Sequence, residues 1–203
     1  MTFFGQFAAA VGQVRPVEWV AVVLALGYLL LAIRQNRWCW VCAILSAVLY
    51  LVIFARAGLV MQALLQVFYV AMAIYGWRAW ATAGSKSGLP VTRWTARRHL
   101  IGLAAIAVIG GLNGAFIATA GEAAVVPYVD AVIAWGSVLA TWMVARKILE
   151  NWLYWVVLDL GAAGLYWTQD LYATAVLFLI YAVLAMRGYR EWLRDASRRP
   201  AIA

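Results

Sequence analysis

Tyr75-Gly76-Trp77-Arg78-Ala79-Trp80 and Arg187-Gly188-Tyr189-Arg190-Glu191-Trp192 are the two stretches that decide how this chain is organised. A shift of 112 residues aligns Gly76 with Gly188, Arg78 with Arg190 and Trp80 with Trp192, and carries Tyr69 onto Tyr181 and Ala73 onto Ala185. Asn36 and Trp40 align with Asn151 and Trp155 at a shift of 115, and Pro16 and Pro127 each open an apolar segment. Matches that keep their order across the chain are the mark of an internal repeat. Each copy holds three apolar segments, so the chain reads as two three-helix units.

The composition says what these segments are. Of 203 residues, 67% are hydrophobic and 12% charged, and the mean hydropathy is +0.87. A soluble domain carries about 25% charged residues, so a soluble fold, a disordered chain, a nucleic-acid-binding domain and a secreted disulfide scaffold are all excluded. A membrane helix needs about 20 mostly apolar residues. Seven segments qualify: Val17–Ile33, Trp38–Ala55, Leu59–Trp80, Leu100–Thr119, Pro127–Ala145, Trp152–Trp167 and Leu171–Arg187. The chain then divides into an N-terminal interfacial segment (1–16) without a signal-peptide layout, a first three-helix unit (17–80) and a basic linker (81–99). A connector helix (100–119), a second unit (127–192) and a tail (193–203) follow. With an odd connector both units run the same way through the bilayer, as in the parallel repeats of some transporters, whose substrates sit near the midplane between repeats.

Seven spans sort the basic residues. Arg15 and Arg56 fall on one side; the other fourteen of the sixteen Lys and Arg fall on the opposite side. The positive-inside rule makes the richer side cytoplasmic, with the N-terminus outside and the C-terminus inside.

Polar residues within hydrocarbon are costly and turn toward the bundle interior. On the third span Gln62, Gln66, Tyr69, Ala73 and Gly76 share a helical face; on the seventh the face holds Thr174, Phe178, Tyr181 and Ala185. Asp130, Ser137 and Thr141 align on the fifth span, and Trp152, Trp155, Asp159 and Tyr166 on the sixth. A carboxylate flanked by indoles suits a desolvated organic cation, which gains charge pairing and cation–π attraction. The glutamines can read hydroxyls or an amide. No Lys or Arg lies deep in a span, which argues against a phosphorylated substrate. Trp77, Trp80, Trp142 and Trp192, near span ends, read as interfacial belt residues, and Gly110, Gly111 and Gly114 as close-packing positions.

The run Asp130, Ser137, Ala140-Thr141-Trp142, Ala145-Arg146-Lys147, Glu150-Asn151-Trp152, Trp155, Asp159 resembles the PnuC family of bacterial vitamin transporters. Leu171-Tyr172-Ala173-Thr174-Ala175, Tyr181 and the closing Gly188-to-Trp192 run add to it. In the first unit Asn36, Trp38, Trp40, Tyr50, Gln66 and Tyr69 agree. The resemblance implies an all-α, seven-helix, SWEET-like 3+1+3 fold in the bacterial cytoplasmic membrane, and a homotrimer. It implies facilitated diffusion of a vitamin that is trapped by phosphorylation in the cytoplasm. The family's Trp-x-x-Trp motif falls on Trp152 and Trp155; Asp159, Gln66, Tyr69, Thr174 and Tyr181 follow by position, with Gln62, Trp40 and Thr141 completing the expected substrate set. Nicotinamide riboside, with its pyridinium, is the expected substrate, and thiamine, with its thiazolium, the alternative.

An enzyme is not expected. His99, the one histidine, falls in a basic loop and reads as solvated, and there is no His pair, nucleophile elbow or P-loop. No catalytic residue, metal ligand or cofactor is expected. Cys39-Trp40-Val41-Cys42 has redox-motif spacing but no second pair to relay electrons, and reads as packing. A substrate-capture subunit of a larger importer is the remaining alternative; the repeat and the polar central faces favour an autonomous pathway.

Overall fold

The structure, a computed structural model, describes residues 16–56, 60–81, 89–119 and 126–198. The expected interfacial segment before Pro16, most of the linker's Gly/Ser-rich part and the last residues of the tail lie outside these. Seven helices are described: α1 (Pro16–Ile33), α2 (Cys39–Arg56), α3 (Val60–Ala81), α4 (Ala96–Ala118), α5 (Val126–Ala145), α6 (Asn151–Thr168) and α7 (Tyr172–Arg198). Their bounds follow the sequence expectation closely, except that α4 begins four residues early and α7 continues into the expected tail. Among the described residues α2, α4, α5 and α7 are long and apolar enough to cross a membrane, and Trp19–Ile33 is a shorter apolar helix. The two helices left out, α3 and α6, carry Gln66 and Asp159, polar residues that line an internal cavity described below.

The helices form a closed ring. α1 packs on α2, α2 on α3, α3 on α5, α5 on α6, α6 on α7, and α7 back on α1; α4 packs on α5 outside the ring. Glycines permit that last approach, since a Cβ on Gly114 would meet Tyr128 at 2.6 Å and one on Gly110 would meet Val132 at 3.2 Å. A Cβ on Gly111 would meet nothing within 4 Å among the described residues, so no close approach there calls for a glycine. Leu112 and Phe116 of α4, Val157 of α6 and Val183 of α7 are among the most exposed large apolar side chains, as a lipid-facing surface requires.

One offset recurs at the basic ends of the helices. α1 closes with Asn36 N–H donating to Leu31 and Gln35 N–H to Ala32; α5 closes with Ile148 N–H donating to Met143 and Lys147 N–H to Val144. Each is a Schellman turn, 112 residues apart, with Gln35 (φ 54°) and Lys147 (φ 50°) in the left-handed region. Neither is glycine, and their side chains meet: Lys147 Nζ donates to Gln35 Oε1 at 3.0 Å and lies 4.6 Å from the Trp80 ring centre. Trp80 Nε1 donates to the Ala145 carbonyl (3.1 Å), while Trp192 Nε1 donates to those of Ala32 and Ile33 (3.1 and 3.2 Å). Trp80 thus ties the end of α3 to the end of α5, and Trp192 ties α7 to the end of α1. Trp80 and Trp192 are buried, so they are interior anchors rather than the expected belt residues.

The same offset corrects the alignment of the second and sixth spans. Trp40 packs against Gly76 and stands edge-on to Trp80 (5.4 Å, 82°); Trp152 packs against Gly188 and stands edge-on to Trp192 (5.3 Å, 90°). Trp40 therefore corresponds to Trp152, not Trp155.

The linker is held at this end too. Thr92 pairs with Ile148, and the Glu150 carboxylate accepts from Arg93 Nε and the Trp94 N–H, each at 3.1 Å. His99 contacts the Tyr154 hydroxyl through Nδ1 (3.1 Å) and lies against Trp94. It is packed rather than freely solvated.

Candidate functional site

The ring encloses a cavity of about 780 Å³. Its walls come from α1 (Tyr28), α2 (Trp40, Ala43, Ser46, Ala47), α3 (Gln66, Tyr69, Ala73), α5 (Asp130, Ser137, Thr141), α6 (Trp152, Trp155, Asp159, Tyr166) and α7 (Phe178, Tyr181, Ala185). Asn113 and Ile117 of α4 reach it as well. The inward faces read from helical spacing are thus brought together. Of the expected substrate residues, Trp40, Gln66, Tyr69, Thr141, Trp152, Trp155, Asp159 and Tyr181 all line it. Thr174 does not: it lies in the first turn of α7, beyond Phe178, whose ring packs against Tyr166 at 5.3 Å. The side chain of Gln62 lies outside the described residues.

Asp159 falls at the middle of α6 (Asn151–Thr168) and is 5% exposed. Among the described residues no hydrogen bond or ion pair reaches its carboxylate. The Tyr181 phenol is its electrostatic neighbour. No Lys, Arg or His lines the cavity among the described residues. A buried carboxylate without a partner is unfavourable unless a cation or a donor meets it.

The hydroxyls around it are committed. Ser137 Oγ donates to Ile133 O (2.8 Å), Thr141 Oγ1 to Ser137 O (2.7 Å) and Ser46 Oγ to Ala21 O (3.1 Å). With their protons engaged by the backbone, these oxygens offer lone pairs, which suits a ligand rich in hydroxyl donors. Gln66 supplies both donor and acceptor. The indole N–H groups of Trp40 and Trp152 are buried and have no hydrogen-bond partner among the described residues.

The cavity is lopsided. Applying the 112-residue offset to Trp155 and Asp159 gives Ala43 and Ala47, both of which line it. The second half supplies charge and stacking surface where the first supplies room. Tyr28, Ser46 and the two alanines were not singled out from sequence. Only the correct offset would have pointed to the alanines, and Tyr28 was signalled merely by being a phenol in an aliphatic helix.

Comparison with known proteins agrees with this geometry. Residues 15–194 match the family described as Nicotinamide mononucleotide transporter. The chain is 29% identical over 182 residues to the nicotinamide riboside transporter PnuC of Escherichia coli (strain K12), covering 77% of this chain and 76% of that one. It is 28% identical over 196 residues to the riboflavin/roseoflavin transporter RibM of Streptomyces davaonensis, covering 91% and 89%. A solved structure described as the vitamin B3 transporter PnuC superposes with a TM-score of 0.71 at 20% identity, covering 97% of this chain and 89% of that one. The chain belongs to the PnuC-type nicotinamide mononucleotide transporter family, and is a membrane transporter rather than an enzyme.

Proposed function

We propose that this protein takes up an unphosphorylated cationic vitamin, nicotinamide riboside first, by facilitated diffusion, and that phosphorylation in the cytoplasm retains it. The observation that carries this reading is Asp159, a buried carboxylate in a cavity shared with Trp155, with no partner and no base lining that cavity among the described residues. A pyridinium would lie over Trp155 with its charge toward Asp159, gaining cation–π attraction of about 0.5–2 kcal/mol. Its ribose hydroxyls would donate to Ser137, Thr141 and Ser46 and exchange hydrogen bonds with Gln66. Tyr69, Tyr181, Trp40 and Trp152 complete the set, with no role assigned to Thr174. The E. coli relative carries the substrate named here. Thiamine, with its thiazolium, fits the same box.

The arrangement that goes with it is two parallel three-helix units, α1–α3 and α5–α7, with α4 as connector. The shared offset of the turns, the reciprocal tryptophan bonds and the ring order support it. We place the basic helix ends in the cytoplasm of a bacterium, the N-terminus outside the cytoplasmic membrane, and three copies in the assembly.

A riboflavin reading has one observation in its favour, the RibM relative that aligns over 91% of this chain. The neutral flavin gives Asp159 no charge to meet. Calorimetry on the purified protein distinguishes these. Nicotinamide riboside should bind most tightly, and its 5′-phosphate at least about tenfold more weakly, because among the described residues no base lines the cavity to meet the phosphate. Equal binding of the phosphate, or tighter binding of riboflavin, contradicts the assignment.

A further inference from the structure

Gly76 and Gly188 lie on the helices that close the two halves, and each faces an indole of the cavity wall. A Cβ on Gly76 would stand 2.4 Å from ring atoms of Trp40; one on Gly188 would stand 2.6 Å from ring atoms of Trp152. Carbon atoms settle at roughly 3.5–4.0 Å, so a methyl at either position would drive the indole back by about 1 Å. The ring cannot retreat freely. Trp40 is held edge-on by Trp80, and Trp152 by Trp192, while Trp80 and Trp192 lie 6.1 Å apart. The four indoles form one chain of contacts, Trp40–Trp80–Trp192–Trp152, joining both halves at the basic ends of the helices. Trp40 and Trp152 line the cavity, whereas Trp80 and Trp192 do not. The open direction is therefore into the cavity.

We propose that Gly76 and Gly188 are positioning residues of the transport site: by lacking a side chain they let Trp40 and Trp152 lie flat on α3 and α7, and so set the depth available to the substrate. Their effect passes through the indoles, and neither touches the substrate. The two positions are unequal. Trp152 sits on the helix of Trp155 and Asp159, whereas Trp40 sits beside Ala43 and Ala47, where there is room to absorb a shifted ring. Gly188→Ala therefore weakens binding more than Gly76→Ala.

The substrate-dependent part of the test rests on the proposed nicotinamide riboside reading; the other part does not. In calorimetry with nicotinamide riboside, Gly188→Ala should raise Kd about tenfold and Gly76→Ala less. Gly164→Ala, whose Cβ would meet nothing within 4 Å, should leave it unchanged. Trp152→Ala removes every ring atom the methyl would strike, so adding Gly188→Ala to Trp152→Ala should cost little further. Equal cost in both backgrounds means the glycine acts on the helix and not through the indole, and overturns the proposal. The ligand-free readout is fluorine NMR of 5-fluorotryptophan-labelled protein. The resonance missing in Trp152→Ala should move in Gly188→Ala and stay in place in Gly164→Ala. An unmoved resonance overturns the proposal whatever the substrate is. A moved resonance in a protein that does not bind nicotinamide riboside upholds it while removing the substrate reading. Should Gly188→Ala not fold, the double variant must fold; if it does not, the proposal fails.

Discussion

Asp159 and Trp155 are adjacent turns of one face of α6, and their chemistry was legible from the sequence because the spacing is local. Four residues along a helix return to the same side, so the carboxylate and the indole had to share a wall wherever α6 packed. The structure adds that the carboxylate is buried without a partner among the described residues. Sequence could not show this, since burial depends on α5 and α7 packing on α6. It also could not show that the protons of Ser137 and Thr141 are engaged by backbone carbonyls. Thr174 was placed on a face by the same spacing rule, but the rule says nothing of how far along the helix the cavity extends. The stacking role of Trp155 separates from simple packing. Trp155→Ala should weaken nicotinamide riboside binding by about tenfold, roughly 1.4 kcal/mol. Trp155→Phe, which keeps a ring face, should recover part of it. Titration calorimetry checks both, and an alanine variant that binds as tightly as the phenylalanine one would remove the aromatic face from the account.

The ends of α3 and α7 carry the molecule's principal tie between halves. Trp80 and Trp192 reach across to carbonyls at the ends of α5 and α1, and Trp192 is fully buried. Tryptophans near the ends of apolar segments ordinarily mark the membrane interface, which is why the sequence suggested a belt. The reciprocal bonds depend on segments 65 and 160 residues apart in sequence meeting in space, and no local pattern encodes that. The matches that suggest a repeat, Gly76/Gly188 and Trp80/Trp192, were legible in the sequence. Its register in α2 and α6 was not, because Trp152 and Trp155 are both tryptophans and Asn36 and Asn151 match by chance at the wrong offset. Truncating an anchor at such a site should cost about 3–5 kcal/mol. Trp192→Ala should lower the thermal unfolding midpoint of the detergent-solubilised protein clearly. Leu112→Ala, at an exposed position on α4, should shift it little. Comparable shifts for the two would mean that Trp192 is not the tie described.

At the scale of the whole molecule, a ring of six helices tied together at the ends that carry Trp80 and Trp192 encloses a cavity whose two acidic residues, Asp130 and Asp159, come from α5 and α6. The few charges of this chain thereby divide into two jobs: basic residues gather at the helix ends, and the two acids, Asp130 and Asp159, line the cavity. This account is tested most directly by initial-rate uptake of labelled nicotinamide riboside into proteoliposomes, without ATP or an ion gradient, comparing the unaltered chain with Asp159→Asn. The expected result is saturable uptake that stops when inside and outside concentrations are equal, with KM raised at least about tenfold by Asp159→Asn. Uptake that needs an ion gradient, or that proceeds with the same KM when Asp159 is replaced, would contradict it.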